Sequence, residues 1–88
     1  MTLITHRTII SGATATNIGS ANADRYGIFI QNIGSNTIFL GGDTSITSGN
    51  GYPILQNEIF TDQVYDGNWY AVCNGVLNST ITTLEEEN

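Results

Sequence analysis

Residues 26–42 read YGIFIQNIGSNTIFLGG, and residues 69–84 read WYAVCNGVLNSTITTL. In the first stretch, β-branched and aromatic residues run from Tyr26 to Gln31 and again from Thr37 to Leu40. A turn at Ile33-Gly34-Ser35-Asn36 and the pair Gly41-Gly42 close the two runs. Such runs, bounded by turn formers, are the signature of strands. The reading predicts a hairpin with strands 26–32 and 37–40, Tyr26, Ile28 and Ile30 on one face and Phe29 on the other, in a central position covered on both sides. The second stretch predicts a tighter hairpin. Asn74-Gly75 supplies the positive φ angles of a type I′ turn, pairing Cys73 with Val76 and facing Tyr70, Val72, Leu77, Ser79 and Ile81 inward.

The same punctuation recurs every ten residues or so along the chain. Candidate strands cover Leu3–Ile10, Ala13–Ile18, Ile54–Phe60 and Val64–Tyr65, with Pro53 at a strand's beginning, where its missing N–H is tolerated. Asp43–Gly51, rich in Ser, Thr, Asn and Gly, reads as an exposed loop. No dozen-residue window keeps helical apolar spacing. The expected fold is all-β: a β-sandwich of about 7–8 short antiparallel strands, jelly-roll or immunoglobulin-like, with a small barrel as the alternative.

With 88 residues the chain fits one domain spanning 1–88, in which 1–12 form an N-terminal arm or edge strand and 85–88 a frayed acidic tail. One cysteine and one histidine cannot make a disulfide or a zinc site within one chain, so stability is expected from packing or from oligomerisation, with oligomerisation favoured. Charged residues make up only 11% of the chain, against about a quarter in an average domain, which suggests a surface that largely faces other protein. Two arginines, no lysine and a net charge of −6 argue against nucleic acid and against anionic membranes. The alternating start is unlike a signal peptide, and no stretch approaches a membrane helix, so the expected product is soluble and made in the cytoplasm.

Few groups offer chemistry. His6 and Cys73 are the one candidate nucleophile and base pair, and Asp43, Glu58, Asp62 and Asp66 the candidate carboxylates. Asp62–Asn68 offers loose calcium ligands without EF-hand spacing. Each has a plainer reading as packing or turn, and the expectation is a non-enzyme with no cofactor and no metal. Trp69 and Tyr70, with Tyr52 and Tyr65, suit a protein interface or a platform for carbohydrate stacking. Thr2, Leu3, Ile4, Ile9, Ile10, Tyr52 and Trp69 are the candidate interface residues, the first five because an N-terminal strand is where a partner's sheet edge would be met.

Ile28-Phe29-Ile30-Gln31-Asn32-Ile33-Gly34 with Ile38-Phe39-Leu40-Gly41-Gly42, then Gly51-Tyr52-Pro53-Ile54-Leu55 with Glu58, then Trp69-Tyr70-Ala71-Val72 form a pattern. It resembles that of small tailed-bacteriophage virion proteins of the capsid decoration or cement type. The resemblance spans roughly residues 26–84, with Ile54 where Leu is commoner. It implies a β-sandwich structural protein on the outer capsid surface, bound to the major capsid (coat) protein and assembled as a homotrimer. A glycan- or receptor-binding module of a head fibre or tail is the alternative.

Overall fold

A computed structural model describes residues 2–88, leaving Met1, the first residue of the expected arm, outside the described residues. Eight strands form: β1 (Thr2–Ser11), β2 (Thr16–Gly19), β3 (Arg25–Asn32), β4 (Ile38–Gly41), β5 (Tyr52–Ile54), β6 (Ile59–Asp62), β7 (Trp69–Val72) and β8 (Asn78–Glu87). They build two four-stranded antiparallel sheets, β1-β8-β3-β6 and β2-β7-β4-β5. The pairs β1·β8, β2·β7, β3·β6 and β4·β5 are those of a single long ribbon folded at the 42–51 loop and rolled up. That winding is a jelly roll, which selects between the two sandwich types expected.

The crossings from one sheet to the other are bonded to each other in the same order as the strands. At β1–β2 and β7–β8, Cys73 N–H donates to Gly12 O (2.8 Å) and Gly12 N–H to Leu77 O (2.9 Å). At β2–β3 and β6–β7, Asn22 N–H donates to Asp66 O (2.8 Å). At β3–β4 and β5–β6, Asn57 N–H donates to Asn32 O (2.7 Å). The ribbon therefore stays paired through its bends, and buried backbone groups keep partners there.

Both expected hairpins are overturned. β3 pairs with β8 and β6, while β4 pairs with β7 and β5 in the opposite sheet. The buried Asn32 explains the crossing. Its amide donates to Asn36 O and Ile54 O, and its Oδ1 accepts from Gly34 N–H and Ser79 Oγ, so a side chain satisfies the bend that a hairpin ladder would have satisfied. Likewise β7 and β8 lie in different sheets, and of Asn74 and Gly75 only Gly75 has a positive φ (59°). Leu77 N–H closes a turn on Asn74 O, but the strands beyond it diverge.

On β7 the face assignment reverses with it, while on β8 Ser79 and Ile81 are buried as expected. Trp69, Ala71 and Cys73 point into the core with Ile81, whereas Tyr70 is half-buried and Leu77 exposed. A bulge between Arg25 and Gly27 turns Tyr26 outward, away from Ile28 and Ile30. Pro53 sits in the middle of β5, tolerated because β5 is an edge strand. Val64 is exposed on a loop. The core is chiefly isoleucine: Ile10, Ile18, Ile28, Ile30, Ile38, Ile54 and Ile81, with Leu40 and the inward face of β7. β-branched side chains suit strand backbones and fill the space between sheets, each burial being worth about 1.5–3 kcal/mol.

The C-terminal residues are ordered into the sheet. β8 pairs with β1 and β3 as far as Glu87, Glu87 accepts from the Asn22 amide (2.6 Å), and Asn88 N–H donates to Asp24 O (2.9 Å). A like-charge run fails to fray here because two of its carboxylates have specific partners and its backbone is laddered on both sides.

Candidate interaction surface

The two outer faces of the sandwich differ. On the β2-β7-β4-β5 sheet, the 42–51 loop folds back over the outside: Ile46 lies against Gly41 and Gly51 against Phe39, so close that a Cβ on either glycine would collide. Val72, which points outward, is fully buried. The outer face of the other sheet has no such cover. Strand alternation about the buried Ile10 turns Leu3, Thr5, Arg7 and Ile9 outward on β1. Across the sheet the rows run Leu3–Glu86–Gly27, Thr5–Leu84–Phe29–Thr61 and Arg7–Thr82–Gln31–Ile59, with Ile9–Thr80 beyond. Phe29, Gln31, Ile59, Thr82 and Leu84 line a groove of about 260 Å³. Leu3, Ile9 and Ile59 are each more than half exposed. Arg7 and Glu86 are the charged side chains among these rows, so the face is apolar and hydroxyl-rich, with a small desolvation penalty on contact.

The two open edges of the sandwich also differ. At the β5/β6 edge, rings close the gap between sheets: Tyr52–Phe60, Phe60–Trp69 and Tyr65–Trp69 lie 5.3, 5.4 and 5.4 Å apart, the last two edge-to-face. At the β1/β2 edge a polar cleft of about 440 Å³ stays open, lined by His6, Thr8, Asn17, Ser20 and Asn22, with Glu85 at its base. The reason lies in strand length. β2 has four residues against ten in β1, so it covers only part of β1's inner face.

Behind the cleft lies a buried ion pair that no sequence pattern announces. Arg25 Nη1 donates to Glu85 Oε1 (2.6 Å) and Ser20 O (3.1 Å), and Nη2 donates to Gly67 O (2.5 Å). Both side chains are nearly out of solvent. The guanidinium ties the β2–β3 and β6–β7 crossings to β8. The one available signal is that Arg25 and Glu85 interrupt strand edges in a chain with only two cations.

The candidate chemical groups are dispersed. Cys73 is fully buried, its thiol directed to Ile10 O, and burial pushes that thiol's pKa up. His6 is exposed four positions along β1 from Ile10, about 13 Å away by strand rise, so the two form no dyad. The carboxylates serve turns: Asp43 accepts from Ser45 N–H and Oγ, which hold its carboxyl below the usual range, Glu58 accepts from Leu55 N–H, and Asp62 from Val64 and Tyr65 N–H. In the candidate calcium segment, Gly67 O and Asn68 Oδ1 are taken up by Arg25 and Ala21 N–H, and no cluster of three metal-ligating side chains occurs among the described residues.

Of the candidate interface residues, Thr2, Leu3, Ile9 and Tyr52 are exposed and Ile4 is half-buried. Ile10 and Trp69 are core residues. Thr2–Ser11 is the edge strand of the two alternatives, paired with β8 along its length. Phe29, Ile59 and Leu84 were not among the candidates, because only the sheet order shows that they meet on one bare face.

No protein-family model matches the chain, and no curated protein matches it. Among solved structures it is similar to a chain of the Bacillus endospore appendages that form a family of disulfide-linked pili. The identity is 14% over 99% of this chain and 90% of that one, with a TM-score of 0.46. No functional statement follows from a likeness of that size, and none of these comparisons points to a phage capsid protein.

Proposed function

We propose that this chain is a structural binding module that lies face-down on other subunits of an assembly, and we read the assembly as a virus shell, with the chain as a capsid decoration (cement) protein of the tailed-phage kind. The observation that carries the reading is the asymmetry of the sandwich: one outer face covered by its own loop, the other bare, nearly uncharged and grooved between Phe29, Ile59 and Leu84. Such a face fits a flat protein partner such as the coat protein, and small contacts per copy add up when several copies bind one shell. The absence of lysine and the net charge of −6 suit the outer surface, away from packaged DNA. Self-association of the copies belongs to the same reading.

The test is co-sedimentation of the purified protein with coat shells, compared with an Ile59→Glu variant. Ile59 is 60% exposed, so the variant folds, and a charge in the groove is expected to lower shell affinity at least tenfold. Wild-type protein that stays in the supernatant and leaves shell melting unchanged overturns the reading. The carbohydrate alternative keeps one supporting observation, the exposed rings of Tyr52 and Tyr65 at the ends of the aromatic row, and a glycan array with a Tyr52→Ala control tests it.

A further inference from the structure

Edge strands of natural sheets are guarded against strand addition by shortness, lysine, proline, bulges or a covering segment. β6 and β5 are short, β5 carries Pro53, and β2 has a register shift between Asn17 and Gly19. Beyond the single charge of Arg7, β1 has none of these devices. It is ten residues long, holds neither lysine nor proline, and pairs with β8 in unbroken register from Thr2 to Ser11. Its other edge is unpaired. Gly12 N–H donates to Leu77 O at the end of this ladder, so the antiparallel alternation directs the even-numbered residues' backbone groups at β8. The N–H and C=O of Leu3, Thr5, Arg7, Ile9 and Ser11 therefore point outward, and these are the residues whose side chains lie on the bare face.

We infer that β1 is a self-association site, where two copies pair their β1 strands antiparallel about a two-fold axis at His6, joining two four-stranded sheets into one of eight. The register is selected by the side chains. With His6 opposite His6, Leu3 faces Ile9 of the second copy and Thr5 faces Arg7, which covers the two most exposed apolar side chains of the strand and keeps the arginines apart. A shift by one residue in each copy, placing Arg7 on Arg7, sets like charges opposite each other and leaves Leu3 against Ser11. Charge complementarity favours the antiparallel sense as well. Arg7 is the one exposed Lys or Arg side chain among the described residues, and antiparallel pairing carries it toward the partner's Leu3 end, where Glu86 flanks the ladder. Four facing pairs, each exchanging two hydrogen bonds, give about eight backbone bonds across the axis.

The contact does not rest on the shell reading, and it makes a two-fold pair the expected unit in place of the trimer that the resemblance implies. Light scattering of the purified full-length protein is expected to give twice the 9.5 kDa chain mass. His6→Cys is expected to form a disulfide dimer under mild oxidation, because the central facing residues are a non-hydrogen-bonded pair at about 4.5 Å between Cα atoms, within disulfide range. The native Cys73 is buried and does not compete. Ile9→Lys, at a 67% exposed position, is expected to give a folded protein of single-chain mass, with its circular dichroism and melting transition retained. A wild-type monomer or trimer overturns the proposal. So does a dimer in which His6→Cys cross-links no faster than Thr16→Cys on the β2 edge.

Discussion

Arg25 shows how a single residue can hold three parts of this chain. Its guanidinium is buried, and the Coulomb gain with Glu85 offsets its desolvation only because the Ser20 and Gly67 carbonyls accept further hydrogen bonds from it. Arg25→Met strands the Glu85 carboxylate in the interior, and Glu85→Leu strands the guanidinium. Each single change is expected to lower unfolding free energy by about 3–5 kcal/mol, and the double variant by less than the sum, because no unpaired charge is left. Urea midpoints of the three variants measure this. Asn32 acts by the same logic with neutral groups: its four side-chain bonds replace backbone bonds that the β3–β4 crossing gives up.

At the scale of the element, turn residues are positioned for crossings, and a local reading mistakes them for hairpins. Asn74-Gly75 is a good hairpin signal in isolation. Here Gly75 O lies against Gly12 of the neighbouring crossing, and Gly12 itself has φ 58°, so the two bends nest. A Cβ on Gly12 would come within 2.8 Å of Gly75 O and would also need the left-handed backbone. Gly12→Ala is therefore expected to cost about 2 kcal/mol or more, where Asn57→Gly, at φ 68° with its side chain exposed, is expected to be neutral or slightly stabilising. Thermal melts of the two variants separate the cases. The strands themselves were legible: composition alone places something extended at 3–10, 26–32, 37–40, 69–73 and 76–84, the last starting two residues before β8 does. Their partners were not, since a strand's apolar pattern is satisfied equally by a hairpin neighbour and by a strand sixty residues away.

For the whole molecule, closure depends on the chain's two ends meeting. β8 is the one strand that joins β1 to the rest of its sheet, and its last residues bond to Asn22, Asp24 and Arg25. Deleting residues 85–88 is expected to remove more than about 3 kcal/mol and to lower the melting temperature by roughly 12–24 °C, read by calorimetry. A solvated tail would show no change. The accessible surface of 4817 Å² is close to the roughly 5,000 Å² expected of a folded monomer of this mass, so one copy closes by itself and association through β1 adds to a finished fold. By itself the sequence determined the class of the fold, its strand-rich, helix-free make-up, the exposed 43–51 loop and the acidic, lysine-free surface. These follow from properties that each short stretch carries within itself: β-branching, turn propensity and charge. Only the tertiary structure decided which strands pair, which face of β7 points inward, that Ile10 and Trp69 are core, and that Phe29, Ile59 and Leu84 share a bare face. Those outcomes depend on groups far apart in the chain competing for the same partners, and the buried side chains of Asn32, Arg25 and Glu85 settle that competition.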